Sequence, residues 1–305
     1  MPKELTHWML AEQSLAGLDD TSRLAVLMRG NRALYLAGAV LPDTLLHLVA
    51  GPHGPTALGL AHRFHDTIGN SYAPLIRIEE AYGAEGLPAG LLACLLGVLS
   101  HMQADIVFHP FVYAHSGVGD MGRHYHVETA LDCLFSRQGI HFPAQRLDAL
   151  VTPAILAELV TASALLFDPE GELPRQALEQ ALGLHCRVQA MYDNTFWKLA
   201  ARLLACLPAP LLRHARHLFY PLTRSGGDPA ELSGTWRHPA TGEVRSETPD
   251  DLAQEAVRRT VTLFERIGQR CRLADALNTP PGENLLTGLY GVGQREMLKS
   301  RPPIE

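Results

Sequence analysis

His101 and Asp105, followed by His124 and Glu128, are two pairs of metal-ligating residue types at i, i+4 within an otherwise apolar part of the chain. Residues four apart share one helix face. A buried apolar helix has little reason to carry imidazoles and carboxylates unless something offsets their desolvation, and a metal ion does so. His101, Asp105 and His109 repeat every four residues in LSHMQADIVFHP. They cannot all hold one ion, because a helix separates the Cα atoms of His101 and His109 by about 12 Å. Asp105, between them, can bridge two metals with its two oxygens. Pro110 is expected to end this helix near His109. In the second stretch Asp132 lies one further turn along the face of His124 and Glu128. His109, His124 and Glu128 form a His₂-carboxylate set that suits zinc and leaves coordination open for water or substrate. Asp132 is placed to orient a ligating imidazole.

Three upstream segments can complete such a site: His7, Asp43 after GAVLP, and His62 or His65 before Asp66. Singly, each has a plainer reading, as a surface histidine, a turn or cap residue, and a polar loop cluster.

The elements that must position these residues read as helices. Strand-like alternation is almost absent, while Leu/Ala-rich stretches with helical spacing recur throughout, so the expected fold is all-α. Helices are predicted at 4–17, 20–36, 72–83, 87–108, 122–137, 153–165, 174–206 and 249–272. Thr248-Pro249-Asp250-Asp251 combines an N-cap, a proline at N1 and acidic groups at the positive end of the helix dipole. Gly54-Pro55 and Gly117-Val118-Gly119 mark turns. The loop at about 224–247 is expected to hold a small hairpin around Ala240–Gly242, with Trp236 capping the core. The domain reading is a metal-binding helical domain over 1–138 and a helical C-terminal region over 139–305.

Ten of the fifteen histidines lie in the first 126 residues, which places the chemistry in the N-terminal half. A net charge of −6 gives no nucleic-acid signature. The five cysteines are scattered, form no CxxC pair and read as reduced core residues. The N-terminus has no apolar h-region, and the longest apolar run, 87–100, is shorter than a spanning helix, so a cytoplasmic protein is expected. No basic amphipathic helix suited to an anionic membrane surface stands out. His214 and His217 beside Arg213 and Arg216 read as a solvated basic face.

In these motifs the chain resembles the zinc-dependent phospholipase C family, whose superfamily includes single-strand-specific nucleases. The resemblance covers roughly residues 1–135. It rests on Thr6-His7, GAVLP-Asp43, Phe64-His65-Asp66, His101-x3-Asp105-x3-His109-Pro110 and His124-x3-Glu128. It implies a phospholipase C/P1 nuclease-like multi-helix bundle, here with a helical C-terminal extension, holding two or three zinc ions. By resemblance, Asp43, His65, His101 and Asp105 hold one zinc, His109, His124 and Glu128 a second, and His7 with bridging Asp105 a third. His65 is preferred to His62 because it adjoins Asp66. His115 is the alternative to His109, since the gap after Asp105 is shorter than in secreted members. Those members complete the third site with an N-terminal tryptophan; here the Pro2 amine, exposed if Met1 is removed, is the corresponding candidate.

The implied activity is phosphodiester hydrolysis, with phospholipid as one candidate substrate and Asp43 or Asp66 receiving the proton of the attacking water. Two other readings remain open. One is an HD-type metal phosphohydrolase built on His65-Asp66 with His47 and Asp105. The other is a non-catalytic helical scaffold, stapled by metal, that binds a partner.

Overall fold

A helix that is apolar on every side is stable only when enclosed, and Ala89–Ser116 is such a helix. The computed structural model describes residues 3–138, 142, 146–207, 210–222, 229–270 and 272–297. Within them the chain begins with α1 (Glu4–Ala16), α2 (Arg23–Gly30) and α3 (Arg32–Gly38). A 3₁₀ segment, Leu41–His47, leads to α4 (Gly54–His65), α5 (Ala73–Tyr82), the long α6 (Ala89–Ser116) and α7 (Met121–Arg137). Next come α8 (Leu147–Leu150), α9 (Pro153–Phe167), α10 (Arg175–Tyr192), α11 (Thr195–Leu204) and α12 (Pro210–Ala215). A two-stranded hairpin, β1 (Trp236–Arg237) and β2 (Val244–Arg245), precedes α13 (Pro249–Arg270) and α14 (Leu273–Leu277). The fold is all-α, with α6 as its axis and α1, α3, α7, α9 and α13 packed around it. Among the described residues only α6 is long and apolar enough to cross a membrane, and in this fold its surface is covered by those helices.

Backbones meet where α3 crosses α6. A Cβ on Gly97 would lie 2.0 Å from the Tyr35 carbonyl oxygen, and one on Gly38 would lie 2.2 Å from that of Cys94. Only glycine permits this approach. It matters to the site because Ala39, directly after α3, places its carbonyl 2.9 Å from Nδ1 of His101 on α6.

Several boundaries differ from the sequence expectation. The 20–36 stretch divides at Asn31, and 174–206 divides where the Asn194 side chain accepts from the Phe196 and Trp197 amides and starts a new helix. Gly54-Pro55 opens α4 rather than a loop, its proline occupying the first turn where a missing N–H costs nothing. Pro110 does not end α6, which runs on to Ser116. Proline removes the N–H that would bond the Ile106 carbonyl. Against that carbonyl lies the backbone of Gly288, in the left-handed region at φ +65°, where a Cβ would come within 2.5 Å of Ile106 O.

The hairpin forms as expected, with Trp236 opposite Arg245 and Ala240–Gly242 in its turn. Trp236 is buried, edge-on to Phe111 at 5.6 Å, and its indole N–H donates to Glu247 O. Thr248 and Asp251 exchange reciprocal hydrogen bonds at the start of α13. Cys94 and Cys133 are buried as expected, but Cys186 is half-buried and Cys206 is exposed on α11's C-terminal side, so the cysteines are not all core residues. Pro2, Cys271 and the tail from residue 298 lie outside the described residues.

Gly97→Ala should push α3 off α6 and destabilise the protein by about 2–3 kcal/mol, the range for an overpacked core. Chemical denaturation measures it, and an unchanged midpoint would show that the crossing has slack.

Candidate metal centre

Asp105 sits in the middle of α6 with no exposed surface, and its two oxygens face different imidazoles. Oδ1 lies 3.6 Å from His7 Nε2 on α1. Oδ2 lies 3.1 Å from His101 Nε2, 3.8 Å from His65 Nε2 on α4, and 3.8 Å from His109 Nδ1. Asp43, on the 3₁₀ segment, brings its Oδ1 to 3.5 Å from His65 Nε2 and 3.8 Å from His101 Nε2. Farther along, the His109 and His124 rings are 6.0 Å apart, and His124 Nε2 is 2.7 Å from Glu128 Oε1 on α7.

These side chains form three groups whose ligand atoms lie within 4.8 Å of one another: His7–His101–Asp105, Asp43–His65–His101 and His109–His124–Glu128. Eight of the nine residues picked from the sequence therefore converge. His62 is exposed while His65 is buried, so α4 presents the second of its two histidines. His115 turns back onto its own helix, Nδ1 donating to Phe111 O, and stays outside the groups.

Backbone carbonyls fix the tautomers. Nδ1 of His101 donates to Ala39 O, that of His65 to Ala61 O at 2.8 Å, and that of His109 to Leu285 O at 2.6 Å. Each Nε2 is thereby left with its lone pair directed inward, the arrangement a ligating imidazole needs. Among the described residues, His7 Nδ1 and Nε2, Asp43 Oδ1, His65 Nε2, His101 Nε2 and both oxygens of Asp105 are buried without a hydrogen-bond partner. So many orphaned acceptors around one point would be very costly in a bare protein interior. The imidazole and carboxylate donor set fits zinc.

Electrostatics agree with that fit. Burial drives the pKa of His7 and His124 well below the ordinary value, and that of His109 to about 3, leaving neutral rings of the kind that ligate metal. Burial also opposes charge on His101, but the carboxylates of Asp105 and Asp43 outweigh it and raise its pKa. Burial disfavours the charge of Asp105, yet the imidazoles of His101 and His109 hold its carboxyl well below the usual range.

Two acids have other duties. Asp66 is not in the cluster: its Oδ1 accepts from the Asn284 amide at 2.9 Å and the Gln294 N–H at 2.8 Å, tying α4 to the C-terminal segment. Asp132 orients no ligating imidazole. Its carboxylate accepts from the Thr6 N–H and hydroxyl and from the Tyr220 hydroxyl at 2.6 Å, so it anchors the helix that carries His7.

Glu4, His47 and His185 form a further group with ligand atoms within 4.8 Å; of the three, the sequence singled out only His47, in the HD-type alternative. His185 Nε2 lies 3.3 Å from Glu4 Oε1, its Nδ1 lies 3.1 Å from Thr44 Oγ1, and its ring stacks on His47 at 4.2 Å. Glu4 shares a helix face with His7, a signal visible in the sequence; His185, from α10, carried none. The carbonyl of Leu285 was equally invisible.

The profile of the zinc-dependent phospholipase C family matches residues 6–164. The chain belongs to this family. That membership supports a phospholipase C-like zinc hydrolase acting on a phospholipid or phosphodiester. The matched span contains all eight clustered residues, whereas Asn284, Leu285 and Gln294, which brace His109 and Asp66, lie beyond it. No curated protein and no solved structure matches the chain.

Burial raises the Asp132 carboxyl to about 6, against the lowering effect of its hydrogen bonds to Thr6 and Tyr220. Unfolded, the same group titrates near ~3.9. Between these values the folded state holds the extra proton, so this group's contribution to stability falls as pH rises from about 4 to 6, by about 3 kcal/mol in all. Asp132→Asn should lack that component, and the stability difference between wild type and variant should shift with pH across this window. Urea denaturation at stepped pH reads it; a constant difference would mean that Asp132 ionises as an ordinary carboxylate.

Proposed function

We propose that this family member is a zinc-dependent phosphodiester hydrolase of phospholipase C type, using a cluster of two or three zinc ions. One observation carries the reading: the orphaned inward-facing atoms around Asp105 lie beside a cavity that Asp43 and Glu128 help to line. That cavity, of about 270 Å³, is otherwise lined by Lys3, Glu4, Leu46, His47, Val49, Tyr125, Val188, Tyr192 and Leu218. A lining that combines acidic groups with apolar and aromatic side chains suits a substrate joining a phosphodiester to a lipid-like alcohol.

In this reading Asp43, His65, His101 and Asp105 hold one ion, His109, His124 and Glu128 a second, and His7 with Asp105 a third. Asp105, with Oδ1 facing His7 and Oδ2 facing His101, would be shared between neighbouring ions. Bound zinc supplies Lewis acidity toward phosphoryl oxygen and brings water to hydroxide near neutral pH. Asp43 accepts or steers the water's proton, because it lines the cavity while Oδ1 faces His65 and His101. In this reading Asp66, held by Asn284 and Gln294, positions α4, an arrangement that favours the cluster over the HD-type alternative. Leu46, Val188 and Leu218, each half-buried, offer apolar contacts to the leaving alcohol. Residues 1–138 carry the ligands, and 139–305 brace them and complete the cleft wall.

Protein purified without added metal should contain about two or three zinc ions per chain, read by elemental analysis. Asp105→Ala should lose more metal than His124→Ala, since Asp105 is shared by two of the proposed sites whereas His124 serves one. A chelator should abolish cleavage of phosphatidylcholine and of a soluble p-nitrophenyl phosphodiester, and zinc should restore it. Asp43→Asn should lower kcat by about 10²–10⁴-fold, the usual contribution of a general base. A zinc-loaded protein that cleaves neither substrate would favour the metal-stapled scaffold.

A further inference from the structure

Helix α11 is turned inside out. Its one buried residue is Lys198, whose ammonium donates to Asp193 Oδ1 at 2.6 Å and to Pro221 O at 3.2 Å. Its large apolar side chains point to solvent: Phe196 is 68 % exposed, Leu203 74 %, and Trp197, Leu199 and Leu204 are each at least 40 % exposed. Leu207 and Leu222, nearby in the chain, are also exposed. A surface helix ordinarily does the opposite, and a contiguous apolar patch of this kind marks a docking surface.

The charge around the patch says what it docks to. From 194 to 227 the sequence has five Lys or Arg and no Asp or Glu, in a chain whose net charge is −6. Arg202, Arg213 and Arg216 are exposed beside the apolar row, and two shallow cavities lined by Arg123, Arg202, Arg213, Arg216, His214 and His217 continue it. The nearest acids are mostly engaged: Asp193 pairs with Lys198 and Glu231 with His126, while Asp120 caps α7. Leucines, a phenylalanine and a tryptophan flanked by arginines match the headgroup boundary of an anionic bilayer.

We infer that α11 with the arginines around it is the surface on which this protein docks to anionic phospholipid bilayers. The inference deepens the proposed function and rests on it for the identity of the substrate. Placement fits: Tyr192, which ends α10 just before α11, walls the cavity beside the metal centre, and Phe219 packs edge-on to it at 6.0 Å. α11 thus follows directly on the helix whose last residue helps to wall that cavity. The apolar face supplies insertion and the arginines supply selection for anionic headgroups.

The test uses the zinc-loaded full chain and vesicles of phosphatidylcholine with or without about one-third phosphatidylserine. Flotation should show wild type on the anionic vesicles, with binding at least about tenfold weaker on pure phosphatidylcholine and in high salt. Phe196→Asp/Leu203→Asp should lose vesicle binding while retaining hydrolysis of the soluble p-nitrophenyl phosphodiester, and Arg213→Glu/Arg216→Glu should lose the preference for anionic vesicles. Brominated lipid should quench wild-type tryptophan fluorescence, and Trp197→Phe should remove most of that quenching. Equal binding by wild type and Phe196→Asp/Leu203→Asp would overturn the proposal. So would absence of binding in a wild type that cleaves the soluble substrate, or a wild-type dimer that does not bind vesicles and that the double aspartate variant dissociates. Vesicle binding without any phosphodiester cleavage would uphold the docking surface and refute the proposed activity instead.

Discussion

One buried carboxylate organises the molecule. Asp105 has no exposed surface, lies within 4 Å of ring nitrogens from His7, His65, His101 and His109, and has neither oxygen in a hydrogen bond among the described residues. A charge so placed is tolerable only with strong compensation close by. The surrounding imidazoles supply part of it, and bound cations would supply the rest. The elements that contribute ligands, α1, the 3₁₀ segment, α4, α6 and α7, are disposed so that their polar atoms meet around this point, while their remaining surface is apolar and packs as core.

Precision in such a site comes from the backbone. Three ligand imidazoles are held through Nδ1 by carbonyls of Ala39, Ala61 and Leu285, each in a different part of the chain. The first depends on the glycine-mediated crossing of α3 and α6. The third depends on the C-terminal segment reaching back to α6, where Gly288 lies against the carbonyl that Pro110 leaves unbonded. Packing that looks remote from the chemistry thus sets the direction of each lone pair. Asp66 and Asp132 belong to the same support, tying α4 to the C-terminal segment and α1 to α7.

The outer surface departs from the interior's logic at α11, where the Lys198 ammonium is buried and the large apolar side chains are exposed. This inversion is hard to see in the sequence. The run TFWKLAARLL has the apolar periodicity of an ordinary amphipathic helix, and only its orientation in the fold shows that the apolar side faces solvent.

The sequence by itself determined the all-α class, most helices, and the donor residues that converge at the centre. Imidazoles and carboxylates at four-residue spacing on apolar helices are a local pattern, and local periodicity survives in the sequence. It also carried the hairpin and the capping of α13, both short-range features. Tertiary structure alone decided what depends on contacts distant along the chain. It continued α6 through Pro110, turned Asp66 into a strut, bonded Asp132 to Thr6 and Tyr220, and brought His185 beside Glu4. Side-chain type and spacing say which groups can ligate, but which atom faces which partner is set largely by segments 62 to 228 residues apart meeting in the fold.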